Sequence, residues 1–406
     1  MHDPVLGVRR TLVALAFLAI ACVATLGLPH HAQAATAAPP ALRQALDKLV
    51  ADGVPGAIAL EREGGQEWRA AAGVADLQTK EPISAQGRFR IGSVTKGFVS
   101  TVVLQLVAER RLRLDDTVEH WLPGLVPNGD AITVRQLMNQ TSGLYNYTDL
   151  PFFLEILHDP LKTWQPLELV HRAVTQPPAF APGTSWGYSN TNYILLGLIV
   201  AAVDDAPAAL QMASPAFEVY RRIVVPLGLW HTRFPLTDPD IHGPHAHGYL
   251  IDSPPEWGLP AILDTTRFDP SWAWTAGAIV STLDDVADFH RALFTGRLLD
   301  PDQQRELERT VPVAPGLDYG LGVFRTQTPC GPAWGHDGGT PDATTISLTS
   351  PDGSRQAVML LTRSETTWTD QLLNDYVGAM LTVFCGEAPP PAAARSLAAS
   401  MATALP

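Results

Sequence analysis

Ser93 and Lys96 stand three residues apart at the head of an apolar run, Ile91-Gly-Ser-Val-Thr-Lys-Gly-Phe-Val-Ser-Thr-Val-Val-Leu-Gln-Leu-Val107. Positions i and i+3 of a helix share a face, so both side chains would point into one space. The helix start would also set oriented backbone N–H groups beside the serine. A serine hydroxyl becomes an effective nucleophile when a neighbouring base takes its proton, and lysine can be that base if its surroundings favour the neutral amine. Only four of the 28 basic residues are lysines (Lys48, Lys80, Lys96, Lys162). An amine at position 96 therefore stands out in a chain that otherwise uses arginine, which does not give up its proton. In an arbitrary protein, however, this pair is more often a helix cap followed by a solvated lysine, so companions are required.

Two short segments supply them. Trp186-Gly-Tyr-Ser-Asn-Thr-Asn-Tyr193 offers a phenol, Tyr188, and an amide, Asn190, two residues apart; both exchange hydrogen bonds. Trp334-Gly-His-Asp-Gly-Gly-Thr340 sets His336 between expected strands, followed by Asp337 and the glycines Gly338 and Gly339. Glycines on a strand let a second backbone or a ligand approach closely.

The elements that must position these residues follow from periodicity. Leu42 to Val50 has helical spacing, and Gly56 to Leu60 and Glu67 to Ala72 read as a strand pair about the Gly64-Gly65 turn. The Ser93 helix runs to about Ala108, and from there to about residue 270 the texture is helical, broken by proline and glycine. A helix opens at Ser281-Thr-Leu-Asp284. Strand texture then returns over Tyr319 to Phe324, Pro332 to Gly335, Thr344 to Thr349 and Gln356 to Thr362, before a closing helix from about Thr367 to Phe384. Strands at both chain ends with helices between predict an α+β fold: a discontinuous antiparallel sheet flanked by N- and C-terminal helices, closed around an all-helical insert. The expected division is a leader at 1–34, a sheet domain from 35–100 and 281–385, a helical domain at 101–280, and a disordered Ala/Pro-rich tail at 386–406. Ser93 falls at the junction, where clefts form.

The chain has 406 residues, 46% hydrophobic and 17% charged, with a net charge of -13. That balance excludes nucleic-acid binding through a basic face and disfavours anionic lipid. Arg9 and Arg10, the apolar stretch Leu12 to Leu28 and the small-x-small pattern Ala32-Gln-Ala34 predict an export signal cleaved near Ala34. A secreted or periplasmic protein without stable membrane insertion follows, with a lipid anchor at Cys22 as the minor alternative. Loss of Cys22 leaves Cys330 and Cys385 as an even pair in an oxidising compartment, so a disulfide is expected. Metal chemistry through His242, His245 and His247 lacks a paired carboxylate or a further ligand nearby in sequence; no metal and no cofactor are expected.

Taken in order, Ser-x-x-Lys, Tyr-x-Asn and His-x-Gly resemble the serine β-lactamase and penicillin-binding family, and especially its secreted D-alanyl-D-alanine carboxypeptidases. The resemblance extends to Ile132-Thr-Val-Arg-Gln-Leu-Met138, Ser142-Gly-Leu-Tyr145, the run from His245 to Tyr249, Tyr319-Gly-Leu-Gly322 and the Cys330 and Cys385 pair. It implies a β-lactamase/transpeptidase-like fold and a hydrolase with Ser93 as acylated nucleophile, Lys96 as proton acceptor and Tyr188 as proton shuttle. It further implies that Asn190 holds the substrate amide and orients Lys96. His336 would complete the hydrogen-bond network over Tyr188, and the N–H groups of Ser93 and Gly339 would form an oxyanion hole. Phe152 and Trp272 match residues lining the substrate groove.

The departures concern the substrate. Carboxypeptidases of this type hold the terminal carboxylate with an arginine on the strand before His-x-Gly and with hydroxyls flanking its glycine. The matching positions here are Phe324, Asp337 and Gly339, with Arg325 one residue away and so on the other strand face. An aspartate repels a carboxylate. The resemblance still makes a D-alanyl-D-alanine carboxypeptidase-type peptidase acting on D-Ala-terminated cell-wall peptides the leading expectation. The alternative is an esterase, D-amino-acid amidase or β-lactamase using the same machinery, so the expected partner is a small molecule or peptide. A non-hydrolytic β-lactam or cell-wall sensor that acylates once and stalls is the remaining alternative.

Overall fold

The computed structural model describes residues 37–404, with side chains to residue 402. The expected leader, its cleavage near Ala34 and Cys22 lie outside the described residues. Among the described residues no helix is long and apolar enough to cross a membrane.

An eight-stranded antiparallel sheet is built from β1 (Gly56–Glu63), β2 (Gln66–Gly73), β3 (Val311–Ala314), β4 (Leu317–Tyr319), β5 (Phe324–Thr328), β6 (Gly331–Gly339), β7 (Thr344–Thr349) and β8 (Arg355–Leu361). Its order is β2-β1-β8-β7-β6-β5-β4-β3, so the first hairpin pairs with the last strand and closes the discontinuous sheet. On one face pack α1 (Pro40–Ala51), α5 (Asp370–Cys385) and α6 (Pro391–Ala404), around Leu46, Leu49, Met359, Tyr376 and Leu397. The other face meets α4 (Leu283–Phe294) and the helical insert through a second core. Where the insert leaves and returns, Phe89–Arg90 pairs with Val280–Ser281. Besides its helices, the insert carries a short ladder of Tyr249–Ile251 against Ile262–Asp264.

Two insert-side helices are apolar all round, as a helix buried on every side must be. In α2 (Thr95–Ala108), Phe98, Val99, Val102, Val103, Leu104 and Leu106 are buried; in α3 (Asn190–Val203), the run from Tyr193 to Ala201 is buried. Their starts carry Ser93 with Lys96, and Tyr188 with Asn190. Arg90, buried beside Asp342 at 3.0 Å and bonded to the carbonyls of Thr266 and Pro239 (each 2.7 Å), anchors the segment leading into Ser93. Breaking such a buried pair costs about 3–5 kcal/mol. Cys330 and Cys385 form the expected disulfide, joining the β5–β6 turn to the end of α5.

Two sequence expectations are corrected. Tyr319 to Phe324 is not a strand: Tyr319 and Phe324 face each other across a tight turn, with Gly322 at φ +86°, so the segment joins β4 to β5. The tail is not disordered either, since Pro391–Ala404 is a helix. Proline at its first position is pre-set for a helix start, the alanine-rich sequence favours helix, and Ala394, Leu397, Ala398 and Met401 recur at i, i+3, i+4 and i+7 to bury one stripe on the sheet core.

Candidate active site

Ser93 sits in a tight turn, Gly92–Val94, that runs directly into α2. The turn lies hard against β6. A Cβ on Gly92 would come within 2.9 Å of Gly339 N, and one on Gly338 within 2.9 Å of Ser93 N. Real Cβ atoms do not approach so closely, so only glycine at 92 and 338 allows the two backbones, and hence the N–H groups of Ser93 and Gly339, to come together.

Lys96 is fully buried, its Nζ 2.8 Å from Ser93 Oγ, 2.7 Å from Asn190 Oδ1 and 2.8 Å from the Ala276 carbonyl. Burial holds its amine well below the usual lysine range, with the charge of Asp337 opposing. A neutral amine has two hydrogens and one lone pair. Asn190 Oδ1 and the Ala276 carbonyl can only accept, so they take the two hydrogens and leave the lone pair for the Ser93 hydroxyl. Tyr188 donates its hydroxyl to Ser93 Oγ at 2.7 Å. Burial first, then the Asp337 charge, raises the Tyr188 phenol well above its ordinary value, so it stays protonated and able to donate. Asn190 is itself clamped: its Nδ2 donates to Thr148 Oγ1 (2.9 Å) and its backbone N–H to Asn146 Oδ1 (3.0 Å).

His336 lies near Tyr188, with ring centroids 6.3 Å apart, yet no hydrogen bond joins them. Its Nδ1 lies 2.6 Å from the Asp337 carbonyl and its Nε2 3.0 Å from Tyr319 Oη. The carbonyl only accepts, which puts the proton on Nδ1 and leaves Nε2 to accept from Tyr319. The expected network over Tyr188 is thus corrected: His336 turns to Tyr319, and contacts Tyr188 through its ring.

The cleft over Ser93 is lined by Tyr188, Asn190, Trp272, Asp337 and Gly339, as expected. Two expected lining residues fall elsewhere. Phe152 is fully buried, packed edge-on against Tyr147 and Trp164, while its neighbour Phe153 lines the cleft; one residue along a helix turns a side chain by about 100°. Arg325 is nearly half exposed and faces Asp318 on β4 at 3.7 Å, while Phe324 turns inward against His336 and Tyr319. No irregularity interrupts the β5–β6 register, so strand alternation keeps Arg325 out of the cleft.

The sequence reading missed Thr148, the Ala276 carbonyl and Glu365. None carries a motif; Glu365 stands in the plain polar link Ser364-Glu-Thr-Thr367 between β8 and α5. A Cβ on Gly339 would collide with Glu365 Oε1, so the carboxyl occupies the space that a side chain there would fill. Asp149, Asp337, Glu365 and Asp370 all line the cleft, and no arginine does among the described residues. Away from it, His242 pairs with Asp238 and His247 with Asp264, each at 2.7 Å, while His245 meets the Gly243 carbonyl.

Fold and site together define a serine hydrolase of the β-lactamase and penicillin-binding type. A family model described as Beta-lactamase matches residues 42–381, and the chain belongs to that family. It is 27% identical over 325 residues to "Penicillin-binding protein 4*" of Bacillus subtilis (strain 168), covering 77% of this chain and 69% of the relative. Esterase EstB of Burkholderia gladioli is 30% identical over 202 residues, which span 46% of this chain and about half (48%) of the esterase. Among solved structures, a D-stereospecific amidohydrolase from Streptomyces sp. superposes with a TM-score of 0.76 at 37% identity, covering 86% of this chain and 99% of that one. A D-amino acid amidase from Ochrobactrum anthropi SV3, complexed with L-phenylalanine amide, superposes with a TM-score of 0.71 at 26% identity, covering 85% and 98%.

Proposed function

We propose that this chain hydrolyses amides or esters of D-amino acids through an acyl-enzyme on Ser93, in preference to peptides ending in a free carboxylate. The observation that carries the reading is the Gly339 end of the cleft, where Asp337 and Glu365 stand and, among the described residues, no arginine faces in. A terminal carboxylate there would meet repulsion without a compensating cation. The likeness to two solved D-specific amide hydrolases supports the same choice. The carboxypeptidase expectation needed Arg325 in the cleft.

In the proposed cycle the Ser93 proton passes to Lys96 Nζ as Oγ attacks the substrate carbonyl carbon. The N–H groups of Ser93 and Gly339 hold the developing oxyanion, each contributing about 3 kcal/mol in comparable sites. Tyr188 hands its proton to the departing nitrogen or oxygen and is restored from Lys96. Water then attacks the acyl-enzyme by the same route in reverse order of proton transfers. The even cysteine pair, bridged in the folded chain, supports action in an oxidising, extracytoplasmic compartment.

The test compares one acyl-D-Ala-D-Ala peptide with its C-terminal amide and a matched ester, with mass spectrometry locating the acyl group. Faster turnover of amide or ester, with the adduct on Ser93, is expected. A clear preference for the free acid would overturn the reading, and a single labelling event without a second turnover would make the protein a sensor.

A further inference from the structure

Asp337 and Gly339 are two residues apart on β6, so they share one face of the strand. Gly339 contributes an N–H to the candidate oxyanion hole. The space on that face where a Gly339 side chain would project holds the Glu365 carboxyl instead. Both carboxyl groups therefore lie within one side chain's length of the point where a scissile carbonyl oxygen would sit.

Among the described residues neither carboxyl is paired with a lysine or arginine. Asp337 is only 4% exposed, and the nearest donor to its side chain is His336 Nδ1 at 3.3 Å, a proton already given to the Asp337 backbone carbonyl at 2.6 Å. Among the described residues no side chain or backbone N–H bonds the Glu365 carboxyl, and Lys96, the cation-capable group that Asp337 influences, has its hydrogens committed to Asn190 and Ala276. Burial and the neighbouring Asp337 push Glu365 up to about 8. Two close, poorly solvated carboxyls with no partner of their own are unfavourable unless a cation or a shared proton joins them.

We infer that Asp337 and Glu365 form the subsite that receives the ammonium group of the substrate, and that the enzyme selects D-aminoacyl amides and esters whose α-amine is free. The α-ammonium nitrogen is attached to the carbon next to the scissile carbonyl. A carbonyl oxygen seated between the N–H groups of Ser93 and Gly339 brings that nitrogen to the same strand face. It then exchanges hydrogen bonds to water for charge-assisted bonds to the Asp337 carboxylate and to Glu365, whose carboxyl gives up its proton as the ammonium binds. Acylation of the α-nitrogen removes the charge and leaves both carboxyls unmet.

The inference rests on acylation of Ser93, and the experiment separates the two. D-phenylalanine amide and N-acetyl-D-phenylalanine amide release the same leaving group and differ in charge at the α-nitrogen. They are compared below about pH 7, where an α-amine is largely protonated, with the wild-type protein and with Asp337→Asn and Glu365→Gln. A reactive β-lactam or ester, tracked by intact mass, counts the acylatable Ser93 in each preparation. For the wild type, kcat/KM for the free amine should exceed that for the N-acetyl compound by about tenfold or more, because a site built for a polar group discriminates strongly against its loss. In each variant that ratio should fall by about tenfold, chiefly through KM. Equal use of both substrates by the wild type, or preference for the N-acetyl compound, overturns the subsite while leaving Ser93 standing. So does an unchanged ratio in two folded, acylatable variants. Absence of any adduct on Ser93 overturns the proposed function as well. The wild-type comparison decides even if a variant fails to fold.

Discussion

Lys96 Nζ lies 2.8 Å from Ser93 Oγ while its other two contacts, Asn190 Oδ1 and the Ala276 carbonyl, are both pure acceptors. The lysine is thus held as a base aimed at one hydroxyl. Lys96→Met keeps the length and the apolar packing of the buried stem but offers no lone pair for a proton. It should fold and lose acylation by about 10²–10⁴-fold, the usual worth of a positioned base. Melting temperature and the rate of adduct formation on Ser93 check it; near-normal acylation would remove Lys96 from the role. Since burial lowers the folded amine well below the usual lysine range, acylation should fall as acid protonates Lys96, with its midpoint well below that range.

Tyr188 is proposed to deliver a proton to the leaving group, so its loss should matter in proportion to how much the leaving group needs one. Tyr188→Phe should slow hydrolysis of an amide by about 10²–10⁴-fold and of a p-nitrophenyl ester much less, because nitrophenolate departs unprotonated. Parallel kcat measurements on the two substrates read this directly. Equal losses would place Tyr188 in orientation rather than proton transfer.

Glu365 carries a pH signature in stability. Its carboxyl titrates at 4.5 as a free group and at about 8 in the fold, raised by burial and then by Asp337. Between those values the folded chain keeps a proton that the unfolded chain releases. Its contribution is therefore fully present below about pH 4.5 and is lost as pH rises towards 8. Glu365→Gln cannot titrate, so its melting temperature should gain on the wild type across that window. Curves that stay parallel from acid to neutral pH would contradict the assignment.

The closing helix should be part of the folded unit. Removing residues 391–406 strips Leu397 and Met401 from the sheet core, and each buried side chain of this size is worth about 1.5–3 kcal/mol. A urea midpoint lowered by the equivalent of about 3–6 kcal/mol is expected for the truncated chain. No shift would mean that α6 contributes nothing to the core it covers.

The sequence alone determined what local spacing determines. Ser93 and Lys96 share a face because a helix repeats every 3.6 residues, and that relation survives whatever packs around it. Tyr188 and Asn190 lie at the start of a second helix too apolar to be exposed anywhere. The strands from Thr344 and Gln356 announce themselves through β-rich runs about a polar turn, and the chain-end strands with helices between them already imply a sheet closed around an insert.

Tertiary structure decided everything that depends on which face meets which partner. Phe152 and Phe153 are equivalent in composition, and only the packing of their helix sends one to the core and the other to the cleft. Arg325 is one residue from the position that would have met a substrate carboxylate, and unbroken pairing with β6 turns it towards Asp318. His336 was legible as a site residue, but its commitment to Tyr319 depends on β4 lying beyond β5. Glu365 had no local signature at all. Its place beside Gly339 comes from the β8–α5 link passing the end of β6, and a missing side chain on one element makes room for a carboxyl from another 26 residues further on. Periodicity is a property of the neighbouring few residues, whereas the charge a substrate meets is summed over groups that only folding brings together.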